Sequence, residues 1–304
     1  MRRRPVSGAG PSASDAPWRV VASARTSVGR QRSDNQDAFG MIRLGIGASS
    51  EGAPGTEAAG DWGGFSPAAR LDADDSAFLL VVADGMGGAA AGEVASRLAV
   101  STMREVVGSR WREDRGGVEG TPEELAELLQ AAAIEANDRI HEWSARHSEY
   151  RGMGSTLTAV GLVDRTAVLA QVGDSRAYLF REGRDLQLTE DQTMARKLVE
   201  SGSMAPEEAE ESNQSHMLLQ ALGTEPEVRP AVDTHALRPD DRLLLCSDGL
   251  SDPLSSGEMR EILRRAPEPE RATEALVERA NERGGPDNIT VLLARVHFGP
   301  ASDS

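Results

Sequence analysis

The 304-residue sequence contains one cysteine, Cys246, which excludes an internal disulfide and a cysteine-based zinc site. Basic residues are scarce: 33 Lys and Arg face 49 Asp and Glu, a formal net charge of −16. That deficit argues against nucleic acid as a bulk partner, because such binding is driven by Lys and Arg displacing phosphate counterions. Long apolar runs are missing as well. The longest, Ala77 to Ala83, is far too short to cross a bilayer. Met1-Arg2-Arg3-Arg4 has the charge of a signal-peptide start, yet Pro5 to Pro17 supplies no apolar core, so a cytoplasmic protein without a membrane partner is expected. There is no G-x-x-x-x-G-K-[ST], so Gly85-Met86-Gly87-Gly88 is not a nucleotide P-loop. No G-x-S-x-G elbow occurs, and His141, His147, His216, His235 and His297 form no H-E-x-x-H.

What is present is a globular composition, 39% hydrophobic and 27% charged. Residues 1–17, rich in Ser, Gly, Ala and Pro, read as a disordered tail. Arg19 to Ala24 and Ala38 to Leu44 suggest strands, and residues 45–75, with little but Gly, Ala, Ser, Pro and acid, read as a long surface insertion. Ala77 to Ala83 then has the continuous apolar pattern of a strand buried on both faces. A helix follows over Glu93 to Val107. The next helix is the clearest: Thr121 is an N-cap, Pro122 sits at N1 and Glu124 completes a capping box. Behind them Leu125, Leu128, Leu129, Ala132, Ala136, Ile140 and Trp143 make one apolar face.

Short strands come next, over Ser155 to Val163, Thr166 to Val172, Arg176 to Phe180 and Leu186 to Thr189, with Asp164-Arg165 and Glu182-Gly183 as hairpin turns. Residues 191–228 are polar and helix-prone with no obvious core face. A second buried strand, Leu243 to Cys246, precedes helices near 257–266 and 270–282 and a last strand, Ile289 to Val296. Strands, two helices, strands, two helices, strand is neither alternating βαβ nor all-β, so the class is α+β with antiparallel sheets.

Aspartates recur where these strands begin or end: Asp37, Asp84, Asp174, Asp248 and Asp287. Any one of them is ordinary turn chemistry. Together they would converge at one edge of a sheet, where half-buried carboxylates cannot all stay ionised unless cations neutralise them. Carboxylates with carbonyls and waters are the ligands of Mg²⁺ and Mn²⁺. Cys246 reads as a small buried core residue, and His141 and His147 as surface residues.

Seven segments in order carry a resemblance: Arg32-Ser33-Asp34-Asn35-Gln36-Asp37, Val81 to Gly88, Gly152 to Ala159, Val172-Gly173-Asp174-Ser175-Arg176, Leu188-Thr189-Glu190-Asp191, Cys246 to Asp252, and Gly285 to Val291. The chain resembles the metal-dependent protein phosphatases of type 2C (the PPM family) in their bacterial form, over about residues 20 to 297. The resemblance implies a four-layer α-β-β-α sandwich of two antiparallel sheets flanked by helix pairs, as one phosphatase domain over 18–298 with 191–228 as a flap. It implies hydrolysis of phosphoserine and phosphothreonine on proteins by a hydroxide bridging two Mn²⁺ or Mg²⁺ ions.

By the same resemblance Asp84 would bridge both ions and the Gly85 carbonyl would bind one, with Asp248 and Asp287 completing the other. Asp174, with Asp248, would hold a third, weaker ion, and Asp37 would ligate through water. Arg32 would clamp the substrate phosphate with its planar fork. Gly154-Ser155-Thr156 would shape the cleft, and Arg176 would make a structural ion pair. The implied partners are phosphorylated proteins, targets of a bacterial Ser/Thr kinase, and a monomer is expected. Three positions depart from the wider family. Gln36 replaces a glutamate, Met86 a histidine proposed as general acid, and Gln192 a histidine frequent in bacterial members. Two other readings compete: a catalytically weak regulatory module of the same fold, and a hydrolase of small phosphate esters. The first is disfavoured because the metal-type aspartates and Arg32 are all present.

A site of oxygen ligands and waters holds Mn²⁺ or Mg²⁺ loosely. Chelator-treated, dialysed protein should therefore be inactive on a phosphothreonine peptide and recover when either ion is added; full turnover without added metal would contradict the carboxylate reading.

Overall fold

In the computed structural model, the described residues are 18–44, 68–74, 77–88, 90–113, 120–205, 208–209, 212, 214 and 217–298. The chain runs β1 (Trp18–Ser27), β2 (Asp37–Leu44), β3 (Ala68–Asp74), β4 (Ala77–Met86), α1 (Ala91–Glu113), α2 (Pro122–Arg146) and the short β5 (Gly154–Ser155). It continues through β6 (Leu157–Val163), β7 (Thr166–Val172), β8 (Arg176–Arg181), β9 (Arg184–Gln187), α3 (Met194–Glu200), β10 (Ala231–Ala236) and β11 (Arg242–Cys246). It ends with α4 (Asp248–Ser251), α5 (Ser256–Arg265), α6 (Pro269–Glu282) and β12 (Ile289–Phe298).

The strands form two antiparallel sheets. One has the order β3-β1-β12-β11-β8-β9, the other β10-β7-β6-β4-β2, with β5 paired to the end of β4. Strand β4 explains the layering, because its side chains alternate between two cores. Phe78, Leu80 and Val82 face the other sheet and pack with Val20, Ala22, Leu243, Leu245 and Leu292. Leu79, Val81 and Ala83 face outward and pack with Met103 and Val107 of α1 and Leu125 and Leu129 of α2. A third core buries Leu244, Cys246, Val291 and Leu293 against Met259 and Leu263 of α5 and Leu276 of α6. The four-layer sandwich is thus helices, sheet, sheet, helices.

Local chemistry sets the element ends. Thr121 accepts the Glu124 amide and the Glu124 carboxylate accepts the Thr121 amide, the capping box expected of α2. Asp164 and Arg165 have φ of 43° and 59°, and Glu182 and Gly183 have 50° and 75°. These are the positive values a two-residue hairpin needs to match strand twist.

One expectation is corrected. The stretch read as an insertion over 45–75 ends in strand β3, which pairs with β1 from Arg19↔Asp74 to Arg25↔Ala68. Ala68-Ala69-Arg70 in a Gly/Ala-rich context lacks the β-branched signal of a strand, so pairing to β1 supplies what propensity does not. Residues 45–67 and the tail over 1–17 lie outside the described residues. Within 191–228, the segment expected to be a flap, Thr193 caps α3 and Ala195, Ala221 and Leu222 are buried, so its described residues have core contacts that its polar composition concealed. Among the described residues no helix is long and apolar enough to cross a membrane.

Phe78 is fully buried between the sheets, with its ring edge-on to Trp18 at 5.9 Å. Phe78→Ala should cost about 3–5 kcal/mol of stability, read by chemical denaturation, because a rigid two-sheet core cannot close over the cavity.

Candidate active site

The carboxylates meet because of strand register. Asp37 opens β2 and lies directly opposite Asp84 on β4. Asp174 follows β7, Asp248 opens α4 after β11, and Asp287 lies two residues before β12. All five belong to one end of the sandwich.

Asp84 is held through its backbone. Its N–H donates to Thr156 Oγ1 at 2.9 Å, and its carbonyl accepts from the Thr156 amide at 2.8 Å and from Ser155 Oγ at 3.0 Å. Thr156 Oγ1 in turn bonds Ser175 Oγ at 2.7 Å. The cleft-shaping part expected of Gly154-Ser155-Thr156 is therefore a clamp on both peptide groups of Asp84. Gly85 cannot carry a side chain: a Cβ there would stand 2.0 Å from the Gly92 carbonyl oxygen and 2.6 Å from that of Gln36. The Gly85 amide donates to the Gln36 carbonyl at 3.1 Å, tying β4 to the loop that carries Arg32.

Asp37 is fully buried. Ser247 Oγ donates to its Oδ2 at 2.8 Å, while Oδ1 is buried without a hydrogen-bond donor. Burial pushes the Asp37 carboxyl up to about 7, against the Ser247 hydroxyl that favours its charge. Burial first, then repulsion from Asp37, Asp248, Asp174 and Asp287, raises Asp84 well above the usual carboxylate range. Burial and repulsion from Asp248, Asp191 and Asp252 push Asp174 up to about 7. Arg32, more than half exposed, donates from Nη2 to Asp287 Oδ2 at 2.7 Å.

Sequence reasoning assigned no role to Asn288, which joins the parts. Its Nδ2 donates to the carbonyls of Val28 and Asp34 at 2.9 and 2.8 Å, and its Oδ1 accepts the Gln36 amide at 2.8 Å. One buried carboxamide thereby fixes the Arg32 loop beside Asp287. The only sequence signal for it is its place directly after Asp287. Arg176 forms the expected structural ion pair, bidentate to Asp191 at 2.6 and 2.9 Å. Cys246 is buried and its thiol pushed up to about 12 by that burial, in keeping with an inert core residue.

These residues fit hard divalent cations by their donor chemistry. Every donor is oxygen, the carboxylates repel one another, and a buried Asp37 oxygen accepts nothing. The fit lies in charge and donor type: among the described residues no three acidic, histidine or cysteine groups already enclose an ion position. With Arg32 paired to Asp287, one cation of the protein's own already stands in this acidic cleft.

The sequence model of the family described as Protein phosphatase 2C matches residues 68–289. The chain is similar to the serine/threonine protein phosphatase PstP of Mycobacterium tuberculosis, at 39% identity over 231 residues. That match takes in 75% of this chain and 43% of PstP, so the chain spans less than half of that relative's length. With the serine/threonine phosphatase stp of Listeria monocytogenes it shares 38% identity over 221 residues, 72% of this chain and 84% of the other. A crystal structure of the catalytic domain of PstP in complex with two manganese ions is similar at TM-score 0.69 and 33% identity, covering 92% of this chain and 99% of that one.

The raised carboxyls predict a pH signature. Asp37 and Asp174 at about 7 bind protons in the folded state that an unfolded carboxyl, near about 3.9, has released. The folded form thus holds more protons in between, and its stability falls as pH rises through that window. The metal-free protein should melt at a higher temperature at pH 5 than at pH 7, and Mn²⁺ should raise Tm more at pH 7 than at pH 5. A flat profile with an equal Mn²⁺ shift at both values would contradict the clustering of these carboxylates.

Proposed function

The chain belongs to the protein phosphatase 2C family, and on that premise we propose that it hydrolyses phosphoserine and phosphothreonine on proteins. The observation that carries the reading is the grouping of Asp84, Asp37, Asp174, Asp248 and Asp287 within mutual repulsion at one end of the sandwich. Bound there, divalent ions of the Mn²⁺ or Mg²⁺ type neutralise phosphoryl charge and lower the pKa of water to near neutrality. The oxygen-only donors favour either ion over a soft-ligand metal.

Each residue has a distinct part. Asp84, clamped at both peptide groups, would hold the core ions with its two carboxylate oxygens. The Gly85 carbonyl lies next to it, on a backbone that tolerates no side chain. Asp248 and Asp287 would hold the second ion, Asp174 with Asp248 would hold a third, and Asp37, which accepts from Ser247 Oγ, would contribute through water. Arg32 uses one N–H on Asp287 and, being exposed, has the rest of its fork to offer a phosphate. It supplies local positive charge in a protein whose net charge is −16. The phosphorus–oxygen bond to the Ser or Thr side chain breaks as water attacks from the opposite side. Met86, 39% exposed at the end of β4, cannot donate a proton, so the leaving alkoxide is protonated by water. The competing reading as a weak regulatory module has no missing aspartate to favour it.

We place the protein in the cytoplasm as a monomeric domain over 18–298, opposing a bacterial-type Ser/Thr kinase in signalling. Support for the pairing with a kinase comes from the serine/threonine phosphatase names of its relatives.

Two substitutions separate the carboxylates. Asn offers one neutral carbonyl oxygen and cannot bridge, so Asp84→Asn should lose the core ions and orders of magnitude in kcat for every substrate. Asp174→Asn should keep the core pair while turnover falls. Calorimetric Mn²⁺ titration beside kinetics tests both, and normal turnover with tight binding of two ions in Asp84→Asn would remove Asp84 as the bridge. For Arg32→Ala, KM for a phosphothreonine peptide should rise far more than kcat falls. An unchanged KM would leave Arg32 with its Asp287 contact alone.

A further inference from the structure

Gly173, immediately before Asp174, has φ of +96° and no side chain, and a Cβ there would stand 2.8 Å from Thr156 Cγ2. A glycine hinge leaves the following carboxylate free to swing unless other groups hold its peptides. Gln192 holds both. Its Oε1 accepts the Gly173 N–H at 2.8 Å, and its backbone N–H donates to the Gly173 carbonyl at 3.1 Å. Gln171 Nε2 adds a third bond, to the same carbonyl, at 3.1 Å.

The Gln192 carboxamide is itself oriented from the far end of the flap. Gln220 Nε2 donates to Gln192 Oε1 at 2.9 Å and to the Arg229 carbonyl at 2.9 Å, while Gln220 Oε1 accepts the Arg229 amide at 3.2 Å. The Leu219 amide donates to the Gln192 carbonyl at 2.7 Å. Both ends of the segment over 191–228 therefore meet at one glutamine pair. A little further along, the Gly223 amide donates to Asn137 Oδ1 of α2 at 2.8 Å, which ties this end of the flap to the helix layer.

We propose that Gln192 is a positioning residue for Asp174: with Gln220 it forms a clip that fixes the Gly173 hinge and so sets the affinity of the Asp174 carboxylate for its divalent cation. The inference rests on the reading of Asp174 as the carboxylate of the weaker ion. An accepting oxygen is what the clip needs, since Gln192 Oε1 takes two donors. Glutamate supplies it and alanine does not.

The test is calorimetric Mn²⁺ titration of the full chain and of Gln192→Ala, Gln192→Glu, Gln220→Ala and Asp174→Asn, with thermal melts of each metal-free protein. Loss of a group that orients a metal ligand weakens binding by about 10–100-fold. Gln192→Ala should weaken the weakest Mn²⁺ event by that factor and leave the tighter events unchanged. Gln220→Ala should act in the same direction, and Gln192→Glu should restore binding. In Asp174→Asn the weakest event should vanish, and adding Gln192→Ala should change nothing more. An unaltered weakest event in Gln192→Ala, with that event lost in Asp174→Asn, would overturn the role of Gln192 alone. Equal weakening of every event together with a lower metal-free Tm would overturn it as a mere packing contact. Retention of the weakest event in Asp174→Asn would instead overturn the reading of Asp174, and the inference with it.

Discussion

Repulsion among carboxylates at one end of the sandwich is the constraint on which the other features of this protein depend. Left to themselves these carboxylates would separate into solvent, and burial with mutual repulsion favours the protonated form of Asp37, Asp84 and Asp174. They are kept together by strands that cannot move. β4 is buried on both faces, β2 is registered to it with Asp37 against Asp84, and β11 and β12 pair over Arg242 to Cys246. The hydrophobic cores thus hold the acidic cluster in place, and the cluster gains a reason to bind cations.

Around the carboxylates lies a layer of uncharged donors that fix backbone without adding charge. Ser155 and Thr156 clamp Asp84, Ser247 links Asp37 to the Thr290 amide, and Asn288 joins the Arg32 loop to the Asp287 turn. Charged groups in the same places would have either neutralised the cluster or deepened its repulsion. Arg32 is the exception, an exposed cation that meets Asp287. Arg176, by contrast, is bidentate to Asp191 and committed to structure.

The helix pairs show how stability and site geometry share residues. α1 begins where Gly85 and Gly92 come into backbone contact, so the first turn of the helix and the end of β4 allow no Cβ between them. α2 packs its apolar face on the sheet, and its buried Asn137 accepts the Gly223 amide and donates to the carbonyls of Glu225 and Pro226. That face reads as core by its periodicity, yet Asn137 within it anchors the chain over Gly223 to Pro226.

Periodicity, capping and turn chemistry were enough to read β4, α2, the two hairpins and the α+β class, because each depends on contacts close in sequence or on a strong apolar pattern. The candidate aspartates were readable because each follows or precedes an apolar strand in a recognisable motif. Strand β3 was not readable, since its Ala-rich residues become a strand only by pairing with β1, and the core contacts of Ala195 and Leu222 were hidden by polar neighbours. The hub role of Asn288 and the Gln192–Gln220 clip were equally out of reach. The sequence by itself determined which residues could carry charge to a metal and which strands would be buried. Only the tertiary structure decided which carboxylates face one another and which amides hold them, because hydrogen bonds between residues 19 to 260 positions apart depend on how the sheets and loops pack and leave no local pattern in the chain.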